Sequence, residues 1–465
     1  MASKSLTRKV LLLVVDALLI TGSLLVALRF AARPGYLDEL VFGDTLFFVL
    51  PVVVFLLAVY FVQGYHLEEI VTPWKGLGAM VLAATAGGVA TGFLFFLIPG
   101  APEFSARALL VTSALVAGLL WLARVAYGRL LITRALKENL LIVGTDASAQ
   151  ELARVLGERT HSPYRVIGLL AADARAANTN LSGAGAHVSI LSLADLPALV
   201  RSGEIDTIVL GTQTSADDRL VRAIVTLKRR GLKVRELTDL YEELTGMTPV
   251  AYLGQLNMLF ENFGQRSEFT RYGQEVLNRG GALVLLTISS PLWPLIVLGQ
   301  QLTSRGPVFV ERSERVGLWG RPFRFYKFRS MVPNATQAGS GLITGKEDPR
   351  VTPFGRLLRK SHLDELPQLL NILKGDMHFI GPRAEYVENV RRLEQKIPFY
   401  HERHMIKPGM TGWAQVRNVF TSASDRDTLE KIQYDLYYLK NRSVALDIAI
   451  VIRTLKLILR GKGTA

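Results

Sequence analysis

Four long apolar stretches at the start of the chain constrain its fold more than any other feature. They cover residues 10–30, 45–62, 77–98 and 108–132. Each is close to the ~20 apolar residues that a helix needs to cross a bilayer. The first is too long for a signal peptide, and no small-residue cleavage site follows it. We therefore expect residues 1–136 to form a four-helix transmembrane bundle.

Basic residues at both ends of this region predict its orientation. The first stretch follows Lys4, Arg8 and Lys9, and the fourth ends among Arg124, Arg129, Arg134 and Lys137. Positively charged flanks stay in the cytoplasm, so an even number of spans places both ends there. We expect a multi-pass membrane protein whose soluble domains face the cytoplasm.

The net charge and the absence of cysteine narrow the range of functions. The chain carries a formal charge of +14 and contains no cysteine. Disulfide and thiolate chemistry are thereby excluded, and the positive charge favours anionic partners such as lipid headgroups, nucleotides and phosphates. We expect no nucleic acid as a partner, because the sequence has no helix-turn-helix, zinc or RNA-binding motif.

Strand and helix patterns alternate across residues 137–248. The apolar runs LLIVG, YRVIGLL, IDTIVLG and LKVREL are typical of buried strands, and helical patterns separate them. This alternation predicts a Rossmann-like, doubly wound parallel sheet. Its first turn, GTDASAQ, lacks the second and third glycines that let a backbone approach a pyrophosphate. We favour a regulatory or oligomerising domain without a dinucleotide; a nucleotide-sugar oxidoreductase or dehydratase is the alternative.

A fifth apolar stretch, residues 280–302, follows a mixed linker at 249–276. Ser290, Pro291 and Pro294 lie near its centre, and proline inside a helix removes a hydrogen bond and clashes with the preceding turn. If this stretch crossed the whole membrane, the basic segment after it would lie outside the cytoplasm. Basic segments usually stay on the cytoplasmic side. We expect a re-entrant helix-break-helix with its break at Ser290 and Pro291; a proline-kinked span is the alternative.

The segment that follows is rich in cations. In the run RPFRFYKFRS, Lys and Arg alternate with aromatic residues, which suits a strand or hairpin with charges on one face and rings on the other. Such cations donate charge-assisted hydrogen bonds to phosphate oxygens. Residues 333–350 lack periodicity and predict a surface loop, for which a lid is one interpretation.

Two adjacent carboxylates, Asp364 and Glu365, precede the helical run QLLNILKG. Pro367 locates the start of that helix, because proline is tolerated in the first turn, where its missing N–H is not needed. Asp364 is therefore predicted as the N-cap, where the helix dipole favours its ionised form. Gly375 is the predicted C-terminal stop. An N-cap explains Asp364 by itself, but it leaves Glu365 and the cationic surroundings unexplained.

From about residue 277 the chain resembles the catalytic domain of the bacterial polyprenyl-phosphate phosphoglycosyl transferases, monotopic class, within the bacterial sugar transferases. The resemblance is carried by the Ser290-Pro291 break, YKFRSM, DPRVTPFGRLLRKSHLDELPQLLNILKGDMHFIGPR and KPGMTGWAQV, in that order. The N-terminal region resembles the long form of this family. One departure is GPRAE, where the family usually has GPRP. The resemblance implies an α plus α/β membrane protein whose α-rich catalytic domain covers 277–465.

The resemblance also implies a reaction. A sugar 1-phosphate would pass from a UDP-sugar to undecaprenyl phosphate with release of UMP, as the first membrane step of exopolysaccharide, capsule or O-antigen synthesis at the bacterial inner membrane. Asp364 would be the nucleophile and form a covalent aspartyl phosphosugar intermediate, and its catalytic partner Glu365 would help to hold Mg²⁺ or orient the pair. Asp364 would also be a ligand of a Mg²⁺ cofactor.

The implied phosphate-binding residues are cations of the same region. The first-ranked set is Lys327, Arg329 and Arg383. The second-ranked set, for the lipid phosphate or headgroups, is Arg356, Arg359 and Lys360. The implied partners are the UDP-sugar, undecaprenyl phosphate and inner-membrane lipid, and a homodimer is compatible with the α/β domain. A non-catalytic transport or scaffold protein is the remaining alternative.

Three further features have two interpretations each. Residues 444–463 are apolar with interspersed cations, which suits a helix on the membrane surface or one packed on the catalytic domain. Trp413 would line a substrate path or, as we favour, pack inside a tight turn. His401 and His404 have the i, i+3 spacing of a metal pair, but without an apparent third ligand we assign no metal to them.

Overall fold

The computed structural model describes most of the chain. The described residues are 4–31, 45–62, 64–65, 73–98, 106–131, 137–159, 162–171, 180–183, 186–192, 194–201, 203–211, 218–229, 231–250, 268–310, 314–333, 335, 348–417 and 425–459. They divide into two compact units, Met1–Leu240 and Tyr241–Ala465. The finer division of the chain at residues 136, 248 and 276 stays a prediction.

The first unit begins with four apolar helices. They are α1 (Lys4–Ala31), α2 (Thr45–Phe61), α3 (Pro73–Leu97) and α4 (Ala106–Leu131). Among the described residues, α1, α3 and α4 are long and apolar enough to cross a membrane, and α2 is shorter and contains Pro51. The helices pack around Ile20, Phe55 and Met80, while many leucines, valines and phenylalanines remain exposed. Such an apolar outer surface indicates a membrane-associated protein.

A buried ion pair joins two of these helices. Arg124 donates from Nη1 to Asp16 Oδ1 at 2.8 Å and from Nη2 to Oδ2 at 2.6 Å. Its Nε donates to the Gly64 carbonyl oxygen at 3.1 Å. Neither charged side chain is exposed, and the bidentate geometry offsets the cost of burying both charges. Arg124, which the sequence placed in the basic flank of α4, instead fixes α4 to α1.

A six-stranded sheet follows in the same unit. Its strands are β1 (Glu138–Val143), β2 (Tyr164–Ala171), β3 (Asn180–Gly183), β4 (Ala186–Ser192), β5 (Thr207–Leu210) and β6 (Lys233–Glu236). The intervening helices are α5 (Ala147–Gly157), α6 (Leu196–Arg201) and α7 (Asp218–Arg229), and α8 (Leu237–Thr245) comes after β6. The strand order is β3-β4-β2-β1-β5-β6, parallel except for β3.

The predicted parallel sheet is confirmed, with two additional strands. The four predicted strands are β1, β2, β5 and β6, and β1 is central, with Leu140, Leu141 and Ile142 fully buried. The sequence prediction missed β3 and β4. Edge strand β3 pairs with one neighbour only, and its sequence NLSG has a single large apolar residue, so it lacks the apolar pattern of a buried strand.

The second unit consists mainly of helices. These are α9 (Glu268–Ser289), α10 (Leu292–Thr303), α11 (Pro353–Lys360), α12 (Gln368–Lys374), α13 (Val387–Glu394), α14 (Trp413–Val416), α15 (Asp425–Asn441) and α16 (Val444–Leu459). Three 3₁₀ helices lie at Leu318–Gly320, Leu363–Glu365 and Tyr400–Met405. Strands β7 (Glu314–Val316) and β8 (Pro322–Arg324) pair antiparallel, and β9 (His378–Ile380) and β10 (Gly409–Thr411) pair parallel. Helix α9 begins inside the predicted linker, most of which lies outside the described residues.

The break between α9 and α10 lies at the predicted residues. The two helices are bent by 62°. Ser290 Oγ donates to the Thr287 carbonyl oxygen at 2.8 Å, and Pro291 is the N-cap of α10. Leu283 and Leu295 are among the exposed apolar residues on this pair. A bent pair of this kind suits either a broken span or a re-entrant loop. That the chain returns to the same side of the membrane after α10 therefore stays a prediction.

Part of the basic segment forms a short hairpin, with residues 322–324 as strand β8. The predicted separation of charges from rings fails at Arg329, which is buried. Arg321 and Arg324 are exposed at β8, whereas Phe325 and Phe328 are buried. Strand β8 ends at Arg324, whereas the alternation of basic and aromatic residues in the sequence continues beyond it. Most of the predicted loop at 333–350 lies outside the described residues.

Helix α16 packs on the core of the second unit. Leu446 and Ile450 are buried in the cluster that contains Trp413. Arg453 lies over the Trp413 ring at 4.9 Å and thus faces the protein. The packed interpretation of the helix is therefore confirmed, although Leu455 on another face of α16 is exposed. Trp413 is packed as predicted, but it begins helix α14 rather than lying in a tight turn.

Candidate active site

Asp364 and Glu365 lie in a 3₁₀ turn, Leu363–Glu365, ahead of α12. His362 adopts the left-handed conformation with φ 56°, and the Leu366 N–H donates to the Leu363 carbonyl oxygen at 3.3 Å. Pro367 is the N-cap of α12. The prediction that Asp364 caps the helix is therefore wrong: i→i+3 bonds close an extra turn before the α-helix starts. Gly375, with φ 88°, ends the helix as predicted.

The main chain of the basic segment holds this turn in place. The Phe328 N–H donates to the Asp364 carbonyl oxygen at 2.9 Å. The Phe328 ring is fully buried and packs with Ile296 and Leu358. This anchoring places Lys327, the residue before Phe328, beside the carboxylates.

Lys327 lies between the two carboxylates. Its Nζ is 2.9 Å from Asp364 Oδ2 and 3.5 Å from Glu365 Oε1. Arg383 approaches from the other side, with Nη2 3.6 Å from Glu365 Oε1. The side chain of Asp364 is only 2% exposed. The contact between Lys327 and Asp364 Oδ2 is an ion pair without aligned hydrogen-bond geometry, so this oxygen has no hydrogen-bond donor among the described residues.

The cations keep Glu365 ionised. Burial by itself raises the pKa of Glu365, but Lys327 and Arg383, with His362, outweigh it and lower the pKa to about 2. Glu365 therefore stays negatively charged at neutral pH and holds both cations close to Asp364.

The other three predicted phosphate-binding residues, Arg329, Arg359 and Arg356, form no ion pair with the two carboxylates among the described residues. Arg329 is 8% exposed and donates to the carbonyl oxygens of Pro307 and Ser304, each at 2.6 Å, which anchors the end of α10. Arg359 donates from Nε to Ser330 Oγ at 2.8 Å. Burial lowers the pKa of Arg359, although the negative charge of Asp364 acts to raise it. Arg356 is exposed on α11. The structure brings together Lys327, Arg383 and the carboxylate pair.

Two supporting residues were not predicted from the sequence. Buried Asn371 accepts from the Tyr326 N–H at 3.0 Å and donates to the Arg324 carbonyl oxygen at 2.7 Å, which ties α12 to the basic segment. Arg403 donates from Nη2 to the Arg383 carbonyl oxygen at 2.9 Å. The polar Asn371 inside the apolar run LLNIL was a readable signal, but nothing in YHERHMI marks Arg403 as buried.

Asp364 and Glu365 fit a magnesium ion chemically. Mg²⁺ prefers carboxylate oxygens and takes one or two of them together with water or substrate phosphate oxygens. Asp364 Oδ2 is buried and receives no aligned hydrogen bond from the described residues, so the ion pair with Lys327 is its one polar contact among them. The ammonium group of Lys327 lies 2.9 Å from this oxygen, which shows that a cation is bound next to it.

Comparison with known proteins identifies the family. The family described as bacterial sugar transferase matches residues 269–461. An exopolysaccharide production protein of Rhizobium leguminosarum bv. phaseoli is 37% identical over 191 residues, which are 39% of this chain and 93% of that protein. The chain belongs to the bacterial sugar transferase family. The resemblance seen in the motifs is thereby confirmed, and the matched region contains the carboxylate pair, Lys327 and Arg383.

Two longer relatives carry more specific names. A UDP-N-acetylgalactosamine-undecaprenyl-phosphate N-acetylgalactosaminephosphotransferase of Aeromonas hydrophila is 40% identical over 234 residues, 50% of this chain and 53% of the relative. A UDP-glucose:undecaprenyl-phosphate glucose-1-phosphate transferase of Xanthomonas campestris pv. campestris is 32% identical over 280 residues, 58% of this chain and 56% of the relative. This bacterial sugar transferase thus matches about half the length of these relatives.

Proposed function

We propose that this bacterial sugar transferase moves a sugar 1-phosphate from a UDP-sugar to undecaprenyl phosphate and releases UMP. The observation that carries the proposal is the buried Asp364 carboxylate, 2.9 Å from Lys327 and inside the family region. The names of the relatives support the substrate classes. The pathway is the synthesis of an exopolysaccharide, capsule or O-antigen, in which this reaction is the first membrane step.

In the first step, an Asp364 carboxylate oxygen attacks the sugar-proximal phosphorus of the UDP-sugar. A bond forms between that oxygen and phosphorus, and the bond between the phosphorus and the bridging oxygen breaks. The electron pair leaves with UMP, and the sugar phosphate stays on Asp364 as an acyl phosphate. Covalent catalysis replaces one difficult displacement by two easier ones.

In the second step, an oxygen of undecaprenyl phosphate attacks the same phosphorus. The bond to Asp364 breaks, the carboxylate is restored, and the product is undecaprenyl diphosphate carrying the sugar. No proton needs to be removed from either nucleophile, because both are ionised oxygens. The site therefore needs no general base to activate Asp364, and the charged groups that it contains are cations and the two carboxylates.

Lys327 and Arg383 neutralise the phosphate charge during both steps. Cations held in place before the reaction stabilise the developing charge without reorganisation. Glu365 holds Lys327 at 3.5 Å and Arg383 at 3.6 Å, so it orients the two cations rather than attacking phosphorus. Arg359 is the proposed contact for the lipid phosphate, which its electrostatic interaction with Asp364 supports.

Asp364, with Glu365 beside it, is the proposed ligand of Mg²⁺. A bound Mg²⁺ supplies charge neutralisation to the diphosphate. The contribution of the protein is the pair of carboxylate oxygens and the exclusion of water from Asp364, whose side chain is 2% exposed.

The membrane placement follows from the chemistry of the two substrates. One is soluble in water, and the other carries its phosphate at the surface of the bilayer, so the site belongs at membrane level. We propose that the α9–α10 pair is a re-entrant hairpin, that α1 to α4 form a transmembrane bundle of the bacterial inner membrane, and that the soluble parts face the cytoplasm. The bend of 62° and the exposed apolar residues of α9 and α10 support the hairpin.

The test is a comparison of Asp364→Asn with the matched control Asp376→Asn. Purified full-length proteins are supplied with UDP-sugars and undecaprenyl phosphate, and UMP release and sugar phosphate in the lipid are measured. We expect Asp364→Asn to lower the rate on the order of 10⁴-fold or more, as for loss of a nucleophile, and Asp376→Asn to stay close to wild type. If Asp364→Asn still transferred sugar phosphate at a rate near that of wild type, the proposal would be wrong.

A further inference from the structure

Three potential metal ligands converge away from the carboxylate pair. Helix α13 ends at Glu394, and the 3₁₀ helix Tyr400–Met405 carries His401 and His404. Each residue contributes one ligand atom, and these atoms all lie within 4.8 Å of one another. His401 Nδ1 is 3.1 Å from Glu394 Oε1. The sequence showed the histidine pair, whereas the third ligand belongs to another helix and only the fold brings it close.

His404 is the buried member of this group. It is 6% exposed, and its buried Nδ1 has no hydrogen-bond partner in the part of the chain that the structure describes. Its ring contacts Tyr400 and His401, with ring centroids 6.0 Å and 5.7 Å away. A buried nitrogen without a partner costs free energy, and such groups usually have an unseen ligand, ion or water.

A cavity of about 570 Å³ is lined by two members of the group. It is lined by the continuous segment 394–402, which includes Glu394 and His401. Glu402 lines the same cavity, and its Oε2 is also buried without a hydrogen bond from the described residues. Water that enters this space would supply the additional ligands of a bound ion.

We propose that Glu394, His401 and His404 bind a divalent transition-metal ion of the zinc class. Two imidazole nitrogens and one carboxylate oxygen are a known ligand set for Zn²⁺ with water in the fourth position. Imidazole nitrogen selects this class over Mg²⁺ and Ca²⁺, which prefer oxygen ligands. The site is thus chemically distinct from the carboxylate pair of the proposed active site.

The distances allow the ligands to close around such an ion. Ligand atoms of a tetrahedral site with Zn–N near 2.0 Å lie about 3.3 Å apart. Glu394 and His401 already have this separation, at 3.1 Å. Both side chains are partly exposed, by 35% and 62%, so they are free to rotate toward the fixed His404. Closure requires no change in the packed core.

A bound ion would fasten the end of α13 to the 3₁₀ helix. His404 follows Arg403, whose guanidinium donates to the Arg383 carbonyl oxygen at 2.9 Å and to Asp435. The metal would therefore stabilise the element that supports Arg383 from behind. Occupancy is expected to raise thermal stability whether or not the protein transfers sugar phosphate.

Metal content and metal-dependent stability test this site. The full-length protein is purified without a polyhistidine tag, stripped with a chelator and titrated with Zn²⁺, or with Co²⁺ as a spectroscopic probe. We expect one tightly bound ion per chain, a visible Co²⁺ band of four-coordinate intensity, and a Zn²⁺-dependent rise in Tm. Excess Mg²⁺ should not displace either ion.

Variants at the two exposed ligands avoid the risk of misfolding at His404. Glu394→Gln and His401→Ala should each weaken Zn²⁺ binding by at least about 10-fold and remove the rise in Tm. Glu388→Gln on the same helix is the matched control, and Asp364→Asn tests independence from the carboxylate pair; both should bind as wild type does. Absence of stoichiometric uptake by wild type, unchanged binding in the ligand variants, or displacement by Mg²⁺ would overturn the proposal.

Discussion

At the scale of single residues, the site depends on one lysine shared by two carboxylates. Lys327 contacts Asp364, which is buried, and Glu365, which also holds Arg383. Removal of Lys327 leaves the buried Asp364 without its ion pair, which is costly for a buried charge. The same contacts that stabilise the turn therefore prepare the site for phosphate.

We predict that Lys327→Met lowers the rate of transfer by about 10²–10³-fold, because a preorganised charge at the reacting phosphate is lost. Arg321→Met is the control, since Arg321 is an exposed cation just before β8. UMP release at saturating UDP-sugar, with Tm as a check of folding, measures the effect. A folded Lys327→Met protein with nearly wild-type kcat would contradict the assigned role.

A second residue prediction concerns Glu385, which pairs with Lys431 inside the second unit. Burial raises the pKa of Glu385, but Lys431 and Arg403 outweigh it and lower the pKa to about 2. Burial lowers the pKa of Lys431 at the same time; the close contact between the two groups favours the charged pair. The folded pKa of Glu385 lies below its ordinary value, so its stabilising effect is complete above about pH 4.5 and disappears as pH falls through 2.

Glu385→Gln should therefore reduce the free energy of unfolding by about 3 kcal/mol at neutral pH, as expected for a broken buried pair. The difference in Tm between wild type and this variant should shrink between about pH 4.5 and pH 2. Glu388→Gln should show no comparable pH dependence. A constant difference in Tm over this range would refute the assignment of the charged pair.

At the scale of elements, the start of α11 packs directly on the basic segment. The Thr352 hydroxyl accepts from the Gly355 N–H at 2.9 Å, and the Thr352 N–H donates to the Ser330 carbonyl oxygen at 3.2 Å. A Cβ at Gly355 would lie 1.9 Å from that same carbonyl oxygen. Glycine at this position thus allows the close approach of two backbones that brings Arg359 to Ser330.

We predict that Gly355→Ala destabilises the protein by about 2 kcal/mol or more, because backbone atoms have to move apart. Gly273→Ala in α9 is the matched control, since among the described residues no heavy atom beyond its chain neighbours and its own helix backbone lies within 4 Å of the added Cβ; it should be neutral or slightly stabilising. Thermal unfolding of both variants decides the point. Equal Tm values for the two would show that α11 does not pack as described.

At the scale of the whole molecule, the absence of cysteine makes membrane topology directly measurable. The chain has no native cysteine, so a single introduced one is the only thiol. A re-entrant α9–α10 hairpin requires residues 271 and 305 to lie on the same side of the membrane, whereas a kinked span separates them.

We expect Arg271→Cys and Arg305→Cys to react with a membrane-impermeant maleimide only after the cytoplasmic face is opened. Lys137→Cys, after the fourth apolar stretch, is the cytoplasmic reference. Ala101→Cys, between the third and fourth stretches, should be labelled from outside. Labelling of Arg305→Cys in intact cells would exclude the hairpin.

The parts of the fold that were predictable are those with strong local patterns. The apolar helices, the four predicted strands β1, β2, β5 and β6, the break at Pro291 and the end of α12 at Gly375 were all readable from residue spacing. Edge strand β3 was not, since a strand that pairs on one side needs little apolar pattern, and its neighbour β4 was missed with it. The cap at Asp364 was misassigned because a 3₁₀ turn and the first turn of an α-helix differ by one hydrogen-bond register, which spacing alone does not distinguish.

The sequence by itself determined the membrane character, the α/β sheet, the family motifs and the identity of the two carboxylates, because these depend on composition and on spacing along the chain. Only the tertiary structure decided that Lys327 rather than Arg329 meets Asp364, that Arg403 supports Arg383, and that Glu394 joins two histidines. These contacts join residues on different elements, and such contacts are set by how the elements pack. A buried arginine and a phosphate-binding arginine look the same in a sequence, and only the carbonyl oxygens around Arg329 tell them apart.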